Sequence, residues 1–263
     1  METLKIQEFI CGHCFFPDFL FQRGGKWSWR IFPARAWLIQ HPTKGNLLFD
    51  TGYSGQFLTA TTFFPERLYR LTTPVCFTQQ QSLASQLNNK GIPPESISRA
   101  FLSHLHADHT AGLRDFPNAR FSLLEAAFQS FEHLKDRRFK GIRSGFLSSL
   151  FPDDFKERAV LLQLNQTFKG QPSCDFFGDG TITVVDLPGH APGHGGLLLN
   201  TSPRQFLVGD ACWSQSELDG KIRLHPLAKS IIYSSHDYQR TQQWLKSLPT
   251  DINILPCHES WPQ

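Results

Sequence analysis

Ser103-His104-Leu105-His106-Ala107-Asp108-His109-Thr110-Ala111-Gly112 is the stretch whose reading decides the fold. Arg99-Ala100-Phe101-Leu102 leads into it and reads as a short apolar strand. In an extended segment alternate side chains point the same way, so His104 and His106 share one side. The residues that follow read as a helix start, with Asp108 as the N-cap and His109 directed elsewhere. Zinc takes imidazole nitrogen and carboxylate oxygen at about 2.0–2.2 Å, so its ligands must converge closely. One such loop can feed two metals. Alone, the cluster fits a structural site or chance equally well.

Three further strand-like runs end in a potential ligand. They are Val184-Val185-Asp186-Leu187-Pro188-Gly189-His190, Phe206-Leu207-Val208-Gly209-Asp210 and Ile254-Leu255-Pro256-Cys257-His258. Ala36–Gln40 and Asn46–Phe49 read as a hairpin ending at Asp50-Thr51-Gly52. Helical patterns cover 79–90, stopped by Gly91, and Tyr238–Leu248. Strands and helices alternate, which gives a mixed α and β class. Ends of neighbouring strands share a sheet edge, where loops can bring ligands together. Nitrogen and oxygen donors with no required Cys suit two zinc-like ions better than one closed structural zinc.

Taken together, these residues resemble the metallo-β-lactamase superfamily, whose signature is His-x-His-x-Asp-His. The likeness runs from Asp50-Thr51-Gly52 to His258. Within the superfamily the chain most resembles the N-acyl homoserine lactonase-like branch, on Phe49-Asp50-Thr51-Gly52, Ser103 to Leu113, Phe177-Gly178-Asp179-Gly180 and Pro188-Gly189-His190-Ala191-Pro192-Gly193-His194. The resemblance implies an α+β chain folded as a four-layer αβ/βα sandwich, one domain over residues 1–263. It assigns His104, His106 and His190 to one metal, Asp108, His109 and His258 to the other, and Asp210 to both. Asp50 would orient a ligand imidazole from behind. His194 is expected beside the ligands rather than among them. The cofactors implied are two divalent ions, zinc foremost, with iron, manganese or cobalt also suited to such donors.

The activity implied is hydrolysis. A hydroxide held between the metals attacks the carbonyl of a lactone or related ester with an apolar tail, and Asp108 passes the proton to the leaving alkoxide. Thioester or phosphodiester hydrolysis, and a non-catalytic metal-bound regulator, are the alternatives. A Glu in place of His106 would point to the di-iron flavoprotein branch. One departure matters. The lactonase branch usually carries a Tyr shortly after the bridging Asp, and here Trp213 stands there. Its indole N–H donates but does not titrate, which leaves an acyl homoserine lactone substrate open. Trp213 also reads as a pocket wall.

The bulk numbers narrow the partners. Of 263 residues, 40% are hydrophobic and 19% charged, as in ordinary globular chains. The net charge is +3 with no Lys/Arg-rich stripe, so a small-molecule substrate is expected rather than nucleic acid, and phosphodiesters lack an evident basic pocket. No apolar run reaches the ~20 residues of a membrane helix. With no evident signal peptide, a cytoplasmic protein with reduced cysteines is expected. The 24 Phe residues imply an aromatic core or an apolar pocket. Residues 55–78 and 128–176 read as insertions that cover a site. Their Phe57, Phe63, Phe64, Phe146 and Phe151 suit either an acyl chain or the core, and the aromatic first insertion suggests a homodimer. Cys11-Gly12-His13-Cys14 reads as a surface or pocket loop rather than a redox pair. His13, His41, His133 and His225 have no partner that the sequence identifies.

Overall fold

Strand alternation sets the layers. The structure, a computed structural model, describes residues 4–259. In β3 (Gly45–Phe49), Leu47 and Phe49 enter one core cluster and Leu48 another. In β10 (Ile182–Asp186), Ile182 and Val184 enter the same cluster as Leu47, and Val185 enters a third. A side-chain period of two produces this split, since successive residues face opposite sides of a sheet.

Two sheets result. The first holds β1 (Lys5–Pro17), β2 (Trp29–His41), β3, β4 (Val75–Cys76), β5 (Arg99–Phe101), β6 (Arg120–Leu124) and β7 (Ala159–Leu162), in the order β4-β1-β2-β3-β5-β6-β7. The second holds β8 (Gln166–Phe168), β9 (Gln171–Asp175), β10, β11 (Gly195–Leu199), β12 (Arg204–Gly209) and β13 (Ile252–Pro256), in the order β13-β12-β11-β10-β9-β8. Trp37, Phe49 and Phe101 from the first meet Leu197, Leu199 and Leu207 from the second in the central core. The outer face of the first sheet packs on helices through Leu87, Ala127 and Phe131, and that of the second through Leu218 and Leu245. These are the four layers the sequence led us to expect. Among the described residues no helix is long and apolar enough to cross a membrane.

Chain direction gathers the site. β3, β5 and β6 are parallel neighbours, so β3 and β5 end at the same edge. β10 and β12 are both antiparallel to β11 and therefore parallel to each other, and β13 is parallel to β12. Asp50, Ser103, His190, Asp210 and His258 all follow the carboxyl ends of these strands.

Several expectations change in detail. Residues 128–176 supply more than a cover: β7 closes one edge of the first sheet, and β8 and β9 close one edge of the second. Cys11 and Cys14 lie in β1, not in a loop, with a bulge between Ile10 and His13, and both are buried. Burial pushes both thiols up, so neither has the low thiol pKa that exchange chemistry needs.

Candidate metal centre

The His-rich loop turns tightly after β5. His106, not Asp108, occupies the N-cap position of the short Ala107–Thr110 helix, and its side chain makes no capping bond. Asp108 sits inside the first turn, leaving its carboxylate free to face the other donors. Within the loop His104 and His106 bring their rings to 4.5 Å, and His104 and His109 to 4.1 Å.

Two donor groups form around Asp210, beside a third set of Asp50, His109 and Cys257. His104, His106, His190 and Asp210 place one ligand atom each within 4.8 Å of one another, and Asp108, His109 and His258 do the same. Asp210 stands between the groups. Its Oδ2 lies 3.2 Å from His190 Nε2 and 3.2 Å from His258 Nε2, and its Oδ1 lies 3.4 Å from His109 Nε2. Asp108 Oδ2 lies 3.4 Å from His258 Nε2 and 3.6 Å from His109 Nε2.

Hydrogen bonds behind the rings assign three tautomers. Asp50 accepts the Ser103 backbone N–H at 2.8 Å and the Ser103 hydroxyl at 2.7 Å. The Ser103 oxygen then accepts from His104 Nδ1 at 2.9 Å. His109 Nδ1 donates to Asp50 Oδ2 at 2.7 Å, and His258 Nδ1 donates to the Pro33 carbonyl at 2.9 Å. Each proton on Nδ1 leaves a lone pair on Nε2 turned to the centre. The Nε2 atoms of His104 and His109, with Asp210 Oδ1, are buried without a hydrogen-bond partner. An unpaired buried polar atom costs about 1–3 kcal/mol, so several facing one point call for a cation. The donor set therefore fits divalent metal.

Electrostatics follow the same division. Burial, reinforced by the charges of His109, His106 and His190, pushes His104 well below the usual imidazole range. Burial lowers His190 as well, against the pull of Asp210. His109 is also penalised by burial, but Asp108, Asp210 and Asp50 outweigh that and hold it well above the usual range. Burial would raise Asp210, yet His258, His109 and His190 hold its carboxyl well below the carboxylate range. Burial raises Asp50, against the pull of His109.

His194, expected beside the ligands, and Trp213, expected in the substrate pocket, take definite places. His194 Nε2 accepts the Asp210 backbone N–H at 3.0 Å, and burial pushes this imidazole down to about 3. Trp213 is buried and donates its indole N–H to Asp210 Oδ2 at 2.9 Å. Its backbone N–H bonds Glu217 Oε2 at 2.8 Å, and Glu217 also accepts from the Tyr238 hydroxyl and from Gln242. Trp213 is thus both a wall and a hydrogen-bond donor.

The aromatic residues proposed for a substrate pocket do not assemble into one. Phe57 is fully buried in the core against Tyr53 and Tyr69. Phe63 and Phe64 are exposed, and Phe64 packs edge-on against Phe139 instead of facing the donors. An apolar side chain gives no sign in sequence of which side of its element will be covered. Of these residues and their neighbours, Phe146 does reach the cavity beside His106, while Phe151 packs into the core.

Other functional residues went unread. Ser103 links Asp50 to His104, and Glu217 anchors Trp213. Gly145 has φ +71, and a Cβ there would stand 2.6 Å from the His106 ring, so only glycine lets this loop press on the ligand. The Gly145 carbonyl also accepts the Ala107 N–H at 2.9 Å. A glycine after a Phe-rich, basic stretch carries no signal of this kind until the loop is placed.

Two cavities flank the donors. One, of about 560 Å³, is lined by His106 and His190 together with Lys140, Arg143 and Phe146. The other, of about 330 Å³, is lined by His258 and Trp213 with Phe21, Phe32 and Arg30.

Comparison with known proteins agrees with this geometry. The sequence model of the metallo-beta-lactamase superfamily matches residues 29–258. An N-acyl homoserine lactonase of Azorhizobium caulinodans is 27% identical over 251 residues, covering 88% of this chain and 84% of that protein. A probable metallo-hydrolase of Mycobacterium tuberculosis is 27% identical over 197 residues, covering 71% of this chain and 59% of that protein. In fold, the chain superposes with a TM-score of 0.77 on an N-acyl homoserine lactone hydrolase solved with N-hexanoyl-L-homoserine at its catalytic metal center, at 16% identity over 98% of this chain and 94% of that one. A dizinc quorum-quenching lactonase superposes at 0.67, with 16% identity over 100% of this chain and 90% of that one. With its donors gathered from the carboxyl ends of strands in both sheets and its sequence matched across both halves, the chain belongs to the metallo-beta-lactamase superfamily and is a metal-dependent hydrolase.

Proposed function

We propose that this hydrolase uses two divalent ions, zinc foremost, to open a lactone or cleave a related carboxylic ester. The observation that carries the reading is the convergence of buried donor atoms of His104, His109 and Asp210 on one centre, with the His104 and His109 rings held from behind by Ser103 and Asp50. Its relatives in sequence include N-acyl homoserine lactonases, which supports a lactone as the first substrate class to try.

His104, His106 and His190 would hold one ion, Asp108, His109 and His258 the other, and Asp210 would join both. Bound there, such ions polarise a carbonyl as Lewis acids and make water nucleophilic at neutral pH. The chain's own part is positional. Asp50 fixes the His109 ring and, through Ser103, the His104 ring. Trp213 and the His194 ring restrain Asp210 from two directions. Asp108, the more exposed of the two central carboxylates, takes the proton released on attack and delivers it to the leaving alkoxide.

Metal analysis of the purified protein, followed by a panel of lactone, aryl ester, thioester and phosphodiester substrates, tests this reading. Two metals per chain and metal-dependent turnover of carboxylic esters are expected. Metal-replete protein that turns over only phosphodiesters, or nothing, would sink it.

A further inference from the structure

The larger cavity beside the donors has a charge that the chain sequence does not announce. Lys140 and Arg143 line it together with His133 from the Glu125–Leu134 helix, and no Asp or Glu is among its lining residues. Neither Lys140 nor Arg143 forms an ion pair among the described residues, although Arg138 in the same Arg138–Arg143 helix pairs with Glu66. Lys140 Nζ instead meets His133 Nε2 at 2.6 Å, and Arg137 approaches the same nitrogen at 3.3 Å. Arg137 and then Lys140 hold His133 below its usual range, so the imidazole is neutral and accepts.

These cations are near the chemistry. Arg143 precedes Ser144 and Gly145, and Gly145 presses on the His106 ring. His106 and His190 form the other wall of the same cavity. Unpaired cations around one cavity, with no carboxylate to neutralise them, set a positive potential where a substrate must lie. A neutral acyl chain gains nothing from such a wall. An anion gains charge-assisted hydrogen bonds.

We propose that the substrate carries an anionic group, a carboxylate or a phosphate, which seats against Lys140 and Arg143 while its ester carbonyl lies at the metal centre. This rests on the ester-hydrolase reading above and adds the substrate's charge to it. The small residues Ser130 and Ser144 beside the cations leave room for the anion and offer it hydroxyl donors.

The test compares matched aryl esters on the metal-replete full chain: mono-4-nitrophenyl glutarate, an analogue ending in phosphate, and the uncharged 4-nitrophenyl pentanoate. An anionic ester is expected to exceed the neutral one about tenfold or more in kcat/KM, with the ratio falling as salt rises. The carboxylate and phosphate arms tell which anion the wall prefers. Lys140→Met combined with Arg143→Met should bring the ratio of anionic to neutral turnover close to one. Equal turnover of charged and neutral esters, or a ratio unchanged in the double variant, overturns the proposal while leaving the hydrolase reading intact. Glutarate binding measured by calorimetry needs no turnover: wild type should bind it at least about tenfold more tightly than the double variant, and equal affinity overturns the proposal. Absence of any ester turnover beside intact, variant-sensitive glutarate binding instead sinks the hydrolase reading.

Discussion

The two walls beside the donors are built from different chemistry. On the His258 side the wall is aromatic, and its cation, Arg30, donates to Asp18 Oδ1 at 2.7 Å. That side has no unpaired Lys or Arg among its lining residues. On the His106 side Lys140 and Arg143 have no acid partner, and the wall keeps its charge. Both walls rest on one floor, the donors themselves, whose carboxylates are matched to imidazoles. The difference teaches that a metal centre of nearly symmetrical donors becomes directional through its surroundings. On the proposed reading, the floor supplies the reaction and the walls decide which end of a substrate goes where.

The largest test strikes the floor. Asp108→Asn keeps a side chain of the same shape but removes the proton acceptor, and turnover should fall about 100- to 10,000-fold with much of the metal retained. Steady-state kinetics beside metal analysis of the same sample check this, and wild-type activity in the variant would remove Asp108 from its role. A smaller loss is expected one layer back. Asp50→Asn weakens the acceptor of His109 Nδ1–H and disturbs Ser103, so metal affinity or activity should drop about 10- to 100-fold. Competition with a chelator reads it out.

Trp213→Phe addresses the aromatic wall and its one hydrogen bond to the floor. It keeps the ring and removes the N–H that holds Asp210 Oδ2, and kcat/KM should fall about tenfold for charged and neutral esters alike. Set against the double variant of the basic wall, which alters the charged-to-neutral ratio, it separates the two sides. If Trp213→Phe changed that ratio instead, the walls would not be independent.

The smallest effect lies behind the floor. Burial raises the Asp115 carboxyl from 3.8 to about 6, with an opposing hydrogen bond from Ser54, and its Oδ2 has no partner. Between those values the folded chain binds more protons than the unfolded chain, so stability falls as pH rises from about 4 to about 6. Asp115→Asn should flatten that slope and add about 1 kcal/mol at pH 7, measured by denaturant melts across pH.

Much of the floor could be read from the chain. The run from His104 to His109 is local, and strand-ending patterns before His190, Asp210 and His258 are visible as alternation closed by Gly or Pro. Phe57, Phe63 and Phe64 show where such reading stops. Phe57 lies within one short helix and Phe63 and Phe64 lie just before another, and nothing in spacing says that the first enters the core and the others face solvent.

The sequence by itself determined the donor types, their order and the strands that carry them, because ligand chemistry and side-chain alternation are written in short stretches. The tertiary structure decided the rest. Ser103 and Pro33 set the tautomers of rings at His104 and His258, the second of them 225 positions away along the chain. Glu66 neutralises Arg138 and leaves Lys140 and Arg143 unpaired. Whether a charge is cancelled depends on which distant carboxylate comes within a few ångströms of it, and that distance exists only once the layers have packed.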